Sequence, residues 1–300
     1  MDSEDRKYRA ICFDLDGTLL GMDIDEFMTE YFSRIAIWAG KNGMDSKRFI
    51  EALKSGTKAM ALSNDDSLNK DVFWKDFYEA YGEEGLEGID VLSVANEFYA
   101  NVFNHIGDDF DADPLVAETI VVLKEKGYPL VLTTMPMFPL QAVKHRLGWA
   151  GVDHESFDRI TTYENSKTTK PRQTYFAENL AAMGLNGSDV LMVGNNTMED
   201  MAFLDLGADG YLITDWLLDP IGYDLSTIKH GSFKEFSEWA KSLPDCENPA
   251  VGISNDPIDY EDMAKAYRSN IRNDLDPASM DENAKRLANA IESDVPLGKE

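Results

Sequence analysis

The chain has 300 residues, with 55 acidic against 28 basic residues and a formal net charge of −27. This excess of carboxylates opposes binding to nucleic-acid phosphates and to anionic membranes, so we expect neither as a partner. Hydrophobic residues make up 43% of the chain, enough to bury the core of one large domain or two ordinary ones.

The first predicted element is a strand, the apolar run Ala10-Ile11-Cys12-Phe13, and it leads directly into Asp14-Leu15-Asp16-Gly17-Thr18-Leu19. Side chains that follow a strand of an open parallel sheet lie at the usual position of an active site. One carboxylate there can attack an electrophile, the other can move protons, and the pair can hold Mg²⁺. An isolated Asp-x-Asp is more often a surface loop, so the pair needs support from the rest of the chain.

Residues 22–112 form the next region, and their pattern is helical. Apolar residues recur at helical spacing in two groups, which are Phe27, Met28, Tyr31, Ile35 and Trp38, then Phe73, Trp74, Phe77, Tyr78 and Tyr81. A Met/aromatic stripe of this kind indicates core packing rather than a cofactor site. We therefore expect an all-α domain, inserted directly after the Asp pair and placed to cover it.

From residue 113 onward, short apolar runs alternate with helical patterns. Strands are predicted at 130–133, 190–193 and 210–213, with a weaker one at 159–162, and helices near 114–126, 139–147, 173–183 and 199–206. A further helix is predicted to end at Leu243. This alternation is typical of an α/β fold with a Rossmann-like parallel sheet flanked by helices. The expected core domain comprises residues 1–21 and 113–244, and residues 245–300 form a polar extension with helical patterns near 257–274 and 279–293.

Three later stretches place polar residues just after predicted strands. Thr134 follows 130–133, Lys170 lies in Thr168-Thr169-Lys170-Pro171, and Gly194 to Asp200 follows 190–193. With the Asp pair they supply a nucleophile, a proton donor, a hydroxyl, an ammonium and an oxygen-rich loop, the groups that phosphoryl transfer requires. Lys167 competes with Lys170 for the ammonium role, and the proline that follows favours Lys170.

In this order the four stretches resemble the four motifs of the haloacid dehalogenase superfamily of phosphohydrolases, over about residues 10–215. The helical insertion resembles that family's cap of the first type. The resemblance implies a phosphoric monoester phosphatase that acts on a small phosphorylated metabolite. It also implies the site residues, with Asp14 as nucleophile, Asp16 as acid and base, and phosphate contacts from Thr134, Met135 and Lys170. Mg²⁺ would be held by Asp14, the backbone carbonyl of Asp16, Asn196 and Asp200.

Two positions depart from the family pattern. Asn196 stands where the family usually has Asp, which predicts weaker Mg²⁺ binding because ligand charge contributes to ion affinity. Met135 stands where many relatives have Asn, and its backbone N–H is the group left to bind phosphate. Glu199 is expected to point away from the site, and no role is assigned to the four histidines. The alternatives left open are a phosphomutase and a catalytically weakened binding or regulatory protein.

Two cysteines, Cys12 and Cys246, do not suggest a disulfide framework, and a reducing compartment fits. The start of the chain is charged and lacks a signal-peptide pattern. We therefore expect a cytoplasmic protein. A homo-oligomer, if one forms, would use the cap or the C-terminal extension.

Overall fold

The computed structural model describes residues 7–63, 66–259, 261–262 and 264–265. Its centre is a parallel sheet with the strand order β3-β2-β1-β4-β5-β6. The strands are β1 (Ala10–Phe13), β2 (Leu130–Leu132), β3 (Arg159–Ile160), β4 (Val190–Gly194), β5 (Asp209–Ile213) and β6 (Lys229–Gly231). The α/β fold with a Rossmann-like parallel sheet is thus confirmed.

Helices cover the sheet and fill the region between β1 and β2. They are α1 (Ile24–Lys41), α2 (Ser46–Leu62), α3 (Asn69–Tyr81), α4 (Val91–Asn101), α5 (Pro114–Glu125), α6 (Leu140–Trp149), α7 (Gln173–Met183) and α8 (Phe233–Ser242). Within the described ranges, none of these helices is both long enough and apolar enough to cross a bilayer.

The central strands are β-branched or apolar because both faces of the sheet are covered. Every residue of β1, β2 and β4 is buried, as expected for strands sandwiched between helices. In the register of β1 and β4, Phe13 pairs with Val193, so both strands end at the same edge. The sheet therefore brings Asp14 next to the loop that begins after Gly194.

The sequence pattern fails at three elements. β3 spans two residues, whereas a strand over 159–162 was predicted. Residues Met201–Leu206 form a 3₁₀ helix and not an α-helix that begins at 199. β6 was not predicted, because Lys229-His230-Gly231 is an edge strand with no buried residue and carries no apolar pattern.

The helices α1 to α4 form a module whose aromatic side chains pack on the loop after β2. Phe138 of that loop lies with its ring centroid 5.3 Å from Tyr31 and 6.4 Å from Phe27, both on α1. At the other end of the module, Asn69 donates its backbone N–H to Ser166 O at 2.8 Å. The predicted stripes on α1 and α3 are therefore used for packing, and they hold the module over the carboxyl edge of the sheet.

The segment after α8 runs along the core. The backbone N–H of Cys246 bonds to Lys126 O at 2.7 Å, and that of Ala250 bonds to Arg9 O at 3.0 Å. Further on, Ser254 O accepts a hydrogen bond of 2.5 Å from the buried Arg159 guanidinium. The helical pattern predicted near 279–293 lies outside the described residues, as does most of that near 257–274.

Candidate active site

Asp14 is the first residue after β1, and its carboxylate is held from both sides. Its backbone N–H bonds to Val193 O at 2.9 Å, which fixes the residue between the ends of β1 and β4. Lys170 Nζ lies 2.7 Å from Asp14 Oδ1, and the Thr18 hydroxyl lies 3.2 Å from Oδ2. The side chain lines a cavity above the sheet edge. Asp14 thus presents an oriented carboxyl oxygen to that cavity.

Lys170 lies behind Asp14 and is completely buried. Its ammonium also contacts Asp200 Oδ1 at 2.6 Å. Burial disfavours the charged ammonium, but the carboxylates of Asp14 and Asp200 outweigh that effect and raise the pKa of Lys170 above its usual value. The competing residue Lys167 pairs with Asp66 at 2.5 Å instead. Lys170 therefore neutralises the predicted nucleophile rather than facing the cavity.

Asp200 is also buried behind the cavity, at 1% exposure. Its Oδ2 accepts the backbone N–H groups of Asn195 and Asn196 at 3.0 and 2.9 Å, while Oδ1 accepts from Lys170. Both oxygens are thus engaged in orienting the loop after β4 and the ammonium. This arrangement explains the short 3₁₀ helix, because the carboxylate ties the loop's N–H groups back and delays the helix to Met201.

Asp16 forms an ion pair that the sequence did not reveal. Its Oδ2 contacts Nη1 of Arg146, a residue of α6 that is 1% exposed. The guanidinium also lies 4.6 Å from the ring centroid of Phe138, which adds a cation–π contact. Burial raises the pKa of Asp16 to about 6 even though the Arg146 charge favours the carboxylate. Both protonation states of Asp16 are therefore accessible near neutral pH.

Thr134 and Met135 follow β2 and line the same cavity as Asp14. The Thr134 hydroxyl is buried and has no hydrogen-bond partner, which leaves it available to a ligand. Its backbone carbonyl accepts hydrogen bonds from the hydroxyls of Tyr175 and Thr161 at 2.8 and 2.9 Å. These contacts, from α7 and from the residue that follows β3, fix the loop, so the position of Thr134 is set by buried groups elsewhere in the chain.

The loop after β4 brings amide and carboxylate oxygens to the cavity. Asn196 Oδ1 accepts the N–H groups of Met198 and Glu199, each at 3.0 Å, so the side chain predicted as a metal ligand also caps the following turn. Glu199 lines the cavity, contrary to the expectation that it points away. Burial, reinforced by the acidic neighbours Asp200 and Asp14, raises the pKa of Glu199 to about 8.

Gly17 is required where the first loop meets the fourth. Its φ of +79° is in the region that favours glycine, and a Cβ there would collide with the Asn195 side-chain amide. The side-chain oxygen Oδ1 of Asn195 in turn accepts a hydrogen bond of 3.2 Å from the Thr18 hydroxyl. The close approach locks the two loops together and so fixes the separation between Asp14 and Asn196.

The oxygen donors at the cavity floor suit a hard cation. Asp14, Asp16 and Asn196 all line it, and they offer the Asp14 carboxylate, the Asp16 backbone carbonyl and the Asn196 amide oxygen. Among the described residues, no three His, Cys, Asp or Glu side chains converge as a ready-made metal cage. Mg²⁺ does not require one, because it is commonly bound by one or two carboxylates, water and substrate phosphate. The donor set therefore fits Mg²⁺.

The cavity unites most of the residues predicted from the motifs. Asp14, Asp16, Thr134, Met135 and Asn196 line it, whereas Lys170 and Asp200 form the buried ion pairs behind it. Sequence reasoning missed Arg146, although α6 carries a signal. Its buried side chains are Ala142, Val143, Arg146 and Leu147, so an arginine occupies the inward face of a helix. Such a position calls for an acidic partner.

A family model described as a haloacid dehalogenase-like hydrolase matches residues 8–205. Among curated proteins, none matches the sequence.

Similar solved structures include three that span almost the whole of their own chains. A predicted phosphoglycolate phosphatase from Haemophilus somnus 129PT is 18% identical, with a TM-score of 0.45, covering 77% of this chain and 97% of its own. A HAD phosphatase from Thermococcus onnurineus is 16% identical, with a TM-score of 0.46, covering 81% and 100%. The putative HAD-hydrolase YfnB from Bacillus subtilis, bound to magnesium, is 16% identical, with a TM-score of 0.46, covering 79% and 100%.

Proposed function

Because this chain belongs to the haloacid dehalogenase-like hydrolases, we propose that it is a Mg²⁺-dependent phosphatase that forms an aspartyl-phosphate on Asp14. The observation that carries the proposal is the contact of 2.7 Å between Nζ of Lys170, buried behind the cavity, and Oδ1 of Asp14, which lines the cavity. The ammonium forms an ion pair with the carboxylate and fixes its direction, as a nucleophile requires. The unpartnered Thr134 hydroxyl lines the same cavity and is available to a phosphate oxygen.

In the first step, an Asp14 oxygen attacks phosphorus and the bond from phosphorus to the leaving-group oxygen breaks. Asp16, two residues further on and lining the same cavity, gives its proton to that oxygen. In the second step, Asp16 takes a proton from water, the water oxygen attacks phosphorus, and the bond to Asp14 breaks to release inorganic phosphate. Such proton transfers contribute about 10²–10⁴-fold to the rate.

Arg146 is the group that would orient Asp16 for both transfers. Its guanidinium contacts Asp16 Oδ2, while Oδ1 has no hydrogen-bond partner and would be the oxygen that carries the proton. Mg²⁺, when held by Asp14, the backbone carbonyl of Asp16 and Asn196, would supply positive charge that stabilises the phosphoryl oxygens. The helical module α1 to α4 would act as the cap that excludes bulk water from the cavity.

The direct test is hydrolysis of p-nitrophenyl phosphate with and without Mg²⁺. We expect Mg²⁺-dependent release of phosphate by the unaltered protein, and release at the level of the buffer control by Asp14→Asn. Asp109→Asn is the matched control, since Asp109 is exposed and does not line the cavity, and it should retain full activity. Activity that survives Asp14→Asn would contradict the proposed nucleophile.

A further inference from the structure

The cavity is much larger than a phosphoryl group requires. Its volume is about 780 Å³, and it extends from Asp14 at the sheet edge to Phe49 and Trp74 in the helical module. Pockets of roughly 300–1,000 Å³ are of a size that encloses a whole drug-sized ligand. Most of this space would therefore surround the part of the substrate that leaves with its oxygen.

The walls that surround this space are apolar and come from three separate segments. The module contributes Met28, Phe32 and Trp74, the loop after β2 contributes Met135, Met137 and Phe138, and the loop after β5 contributes Trp216, Leu217 and Leu218. These side chains are half-buried, apart from Trp216, which is 44% exposed. In a chain of net charge −27, this convergence of apolar surface on one cavity is the kind of patch that marks a binding site.

Several polar side chains on the module side of the cavity already have partners within the module. The Thr29 and Thr57 hydroxyls donate to backbone carbonyls of their own helices, and the Lys54 ammonium lies over the Phe32 ring. The hydroxyls of Tyr31 and Tyr99 lie 3.1 Å apart and share a hydrogen bond. A sugar or polyol would bring several hydroxyls to this wall, and each one buried without a partner lowers affinity. An apolar group needs no hydrogen-bond partner, and its transfer from water into the cavity lowers the free energy.

From these observations we propose that the substrate is the phosphate monoester of a large hydrophobic alcohol, aromatic or long-chain, whose apolar part fills the cavity under the helical module. The inference rests on the proposed phosphatase activity and names its substrate class. The phosphoryl group would sit at the floor beside Asp14 and Thr134, and the leaving group would lie against Phe32, Trp74 and Phe138.

The test is a series of primary alkyl phosphates, from ethyl through butyl to hexyl phosphate, with glucose 6-phosphate for comparison. The reacting ester is a primary one throughout, so differences report on the apolar part of the leaving group. We expect kcat/KM to rise about fourfold for each added methylene, as for transfer of that group out of water. Glucose 6-phosphate should be hydrolysed less well than hexyl phosphate.

Equal kcat/KM for ethyl and hexyl phosphate, or a preference for glucose 6-phosphate, would overturn the substrate class and leave the phosphatase intact. Failure to hydrolyse p-nitrophenyl phosphate and every ester of the series would instead overturn the proposed function on which the inference rests. The two failures are therefore distinguishable in one set of assays.

A pair of variants on α1 locates the effect within the cavity. Phe32→Ala should lower kcat/KM for hexyl phosphate more than for ethyl phosphate, because Phe32 lines the cavity. Ile37→Ala is the control on the same helix, since Ile37 is 57% exposed and does not line the cavity. In this variant the ratio of kcat/KM for hexyl phosphate to kcat/KM for ethyl phosphate should be unchanged. An unchanged ratio in Phe32→Ala would contradict the assigned wall. The chain-length series needs no variant, so the proposal stays testable if Phe32→Ala does not fold.

Discussion

At the scale of single residues, charge pairing behind the cavity determines what the cavity can do. The Lys170 ammonium is buried between two carboxylates, those of Asp14 and Asp200, at 2.7 and 2.6 Å. Removing one member of a buried ionic cluster leaves uncompensated charge, which is more costly than the cluster's net contribution suggests. The nucleophile proposed here thus depends on a cation that itself does not line the cavity.

Lys170→Met should therefore abolish phosphatase activity and reduce the free energy of unfolding by about 3–5 kcal/mol. Lys167→Met is the matched control from the same loop, because its partner Asp66 has a side chain that is 56% exposed. That change should cost about 1 kcal/mol or less and leave activity in place. Urea denaturation with an assay on p-nitrophenyl phosphate measures both, and equal losses in the two variants would contradict the assignment of Lys170.

The Arg146–Asp16 pair can be tested by a double-mutant cycle. Arg146→Gln removes the guanidinium that contacts Asp16 and Phe138, and should destabilise the protein by about 3 kcal/mol. Adding Asp16→Asn should recover part of that loss, because no carboxylate then remains unpaired. The coupling from urea denaturation of all four proteins should exceed about 0.5 kcal/mol. Strictly additive losses would mean that the two side chains act independently.

Elements were predictable where a local pattern decides them. Apolar runs located β1, β2, β4 and the last four residues of β5, because strand residues buried on both faces of a sheet are largely apolar. β6 was not predicted, because it is an edge strand that pairs with β5 alone. None of its residues is buried, so no run of apolar side chains marks it in the sequence. Arg146 was missed for a related reason, since its partner is 130 residues away and depends on how α6 packs.

Helix α7 carries a buried acid outside the active site. Glu178 is fully buried, and burial raises its pKa to about 7, although the Lys167 backbone N–H and the Arg159 charge favour the carboxylate. The folded state thus holds a proton that the unfolded chain releases near its ordinary value of 4.5. Protonated Glu178 therefore contributes to the free energy of unfolding. This contribution is complete below pH 4.5 and is lost as the pH rises through about 7.

Glu178→Gln should remove the loss of stability that ionisation of Glu178 causes as the pH rises. Relative to the unaltered protein, the variant should gain stability between pH 5 and 8, by an amount on the order of 3 kcal/mol if the carboxyl is the only group affected. Urea midpoints of both proteins at several pH values within this range measure the difference. Parallel pH profiles for the two proteins would contradict the raised pKa.

At the scale of the whole molecule, the cavity is formed by segments that are far apart in the sequence. The motifs were recognisable in sequence, but the cavity depends on the module, the loop after β2 and the loop after β5 together. No local pattern specifies how those three segments meet, so the size and apolar character of the cavity were not predicted. The segment after α8 is a second case. Its polar sequence predicts a solvated extension, and only the structure shows that its backbone carbonyls accept hydrogen bonds from the buried Arg159.

The contribution of that segment can be measured by truncation. A chain ending at residue 245 lacks Ser254 and Asp256, whose carbonyls accept from the buried Arg159 guanidinium at 2.5 and 3.2 Å. It should be less stable than a chain ending at residue 259 by about 3 kcal/mol or more, because buried charged donors lose their partners. Urea denaturation of the two truncated chains gives the difference, and equal stability would show that the segment is dispensable.

The most direct test of the central claim is to trap the phosphoryl group on the protein. Asp16→Asn should still be phosphorylated by p-nitrophenyl phosphate, whose leaving group needs no acid, but should hydrolyse the intermediate slowly for lack of a base. Rapid mixing should give a burst of p-nitrophenol of about one equivalent per protein. Peptide mass spectrometry after an acid quench should find one phosphoryl group on Asp14. Turnover without a burst, or a phosphoryl group on any other residue, would contradict the account.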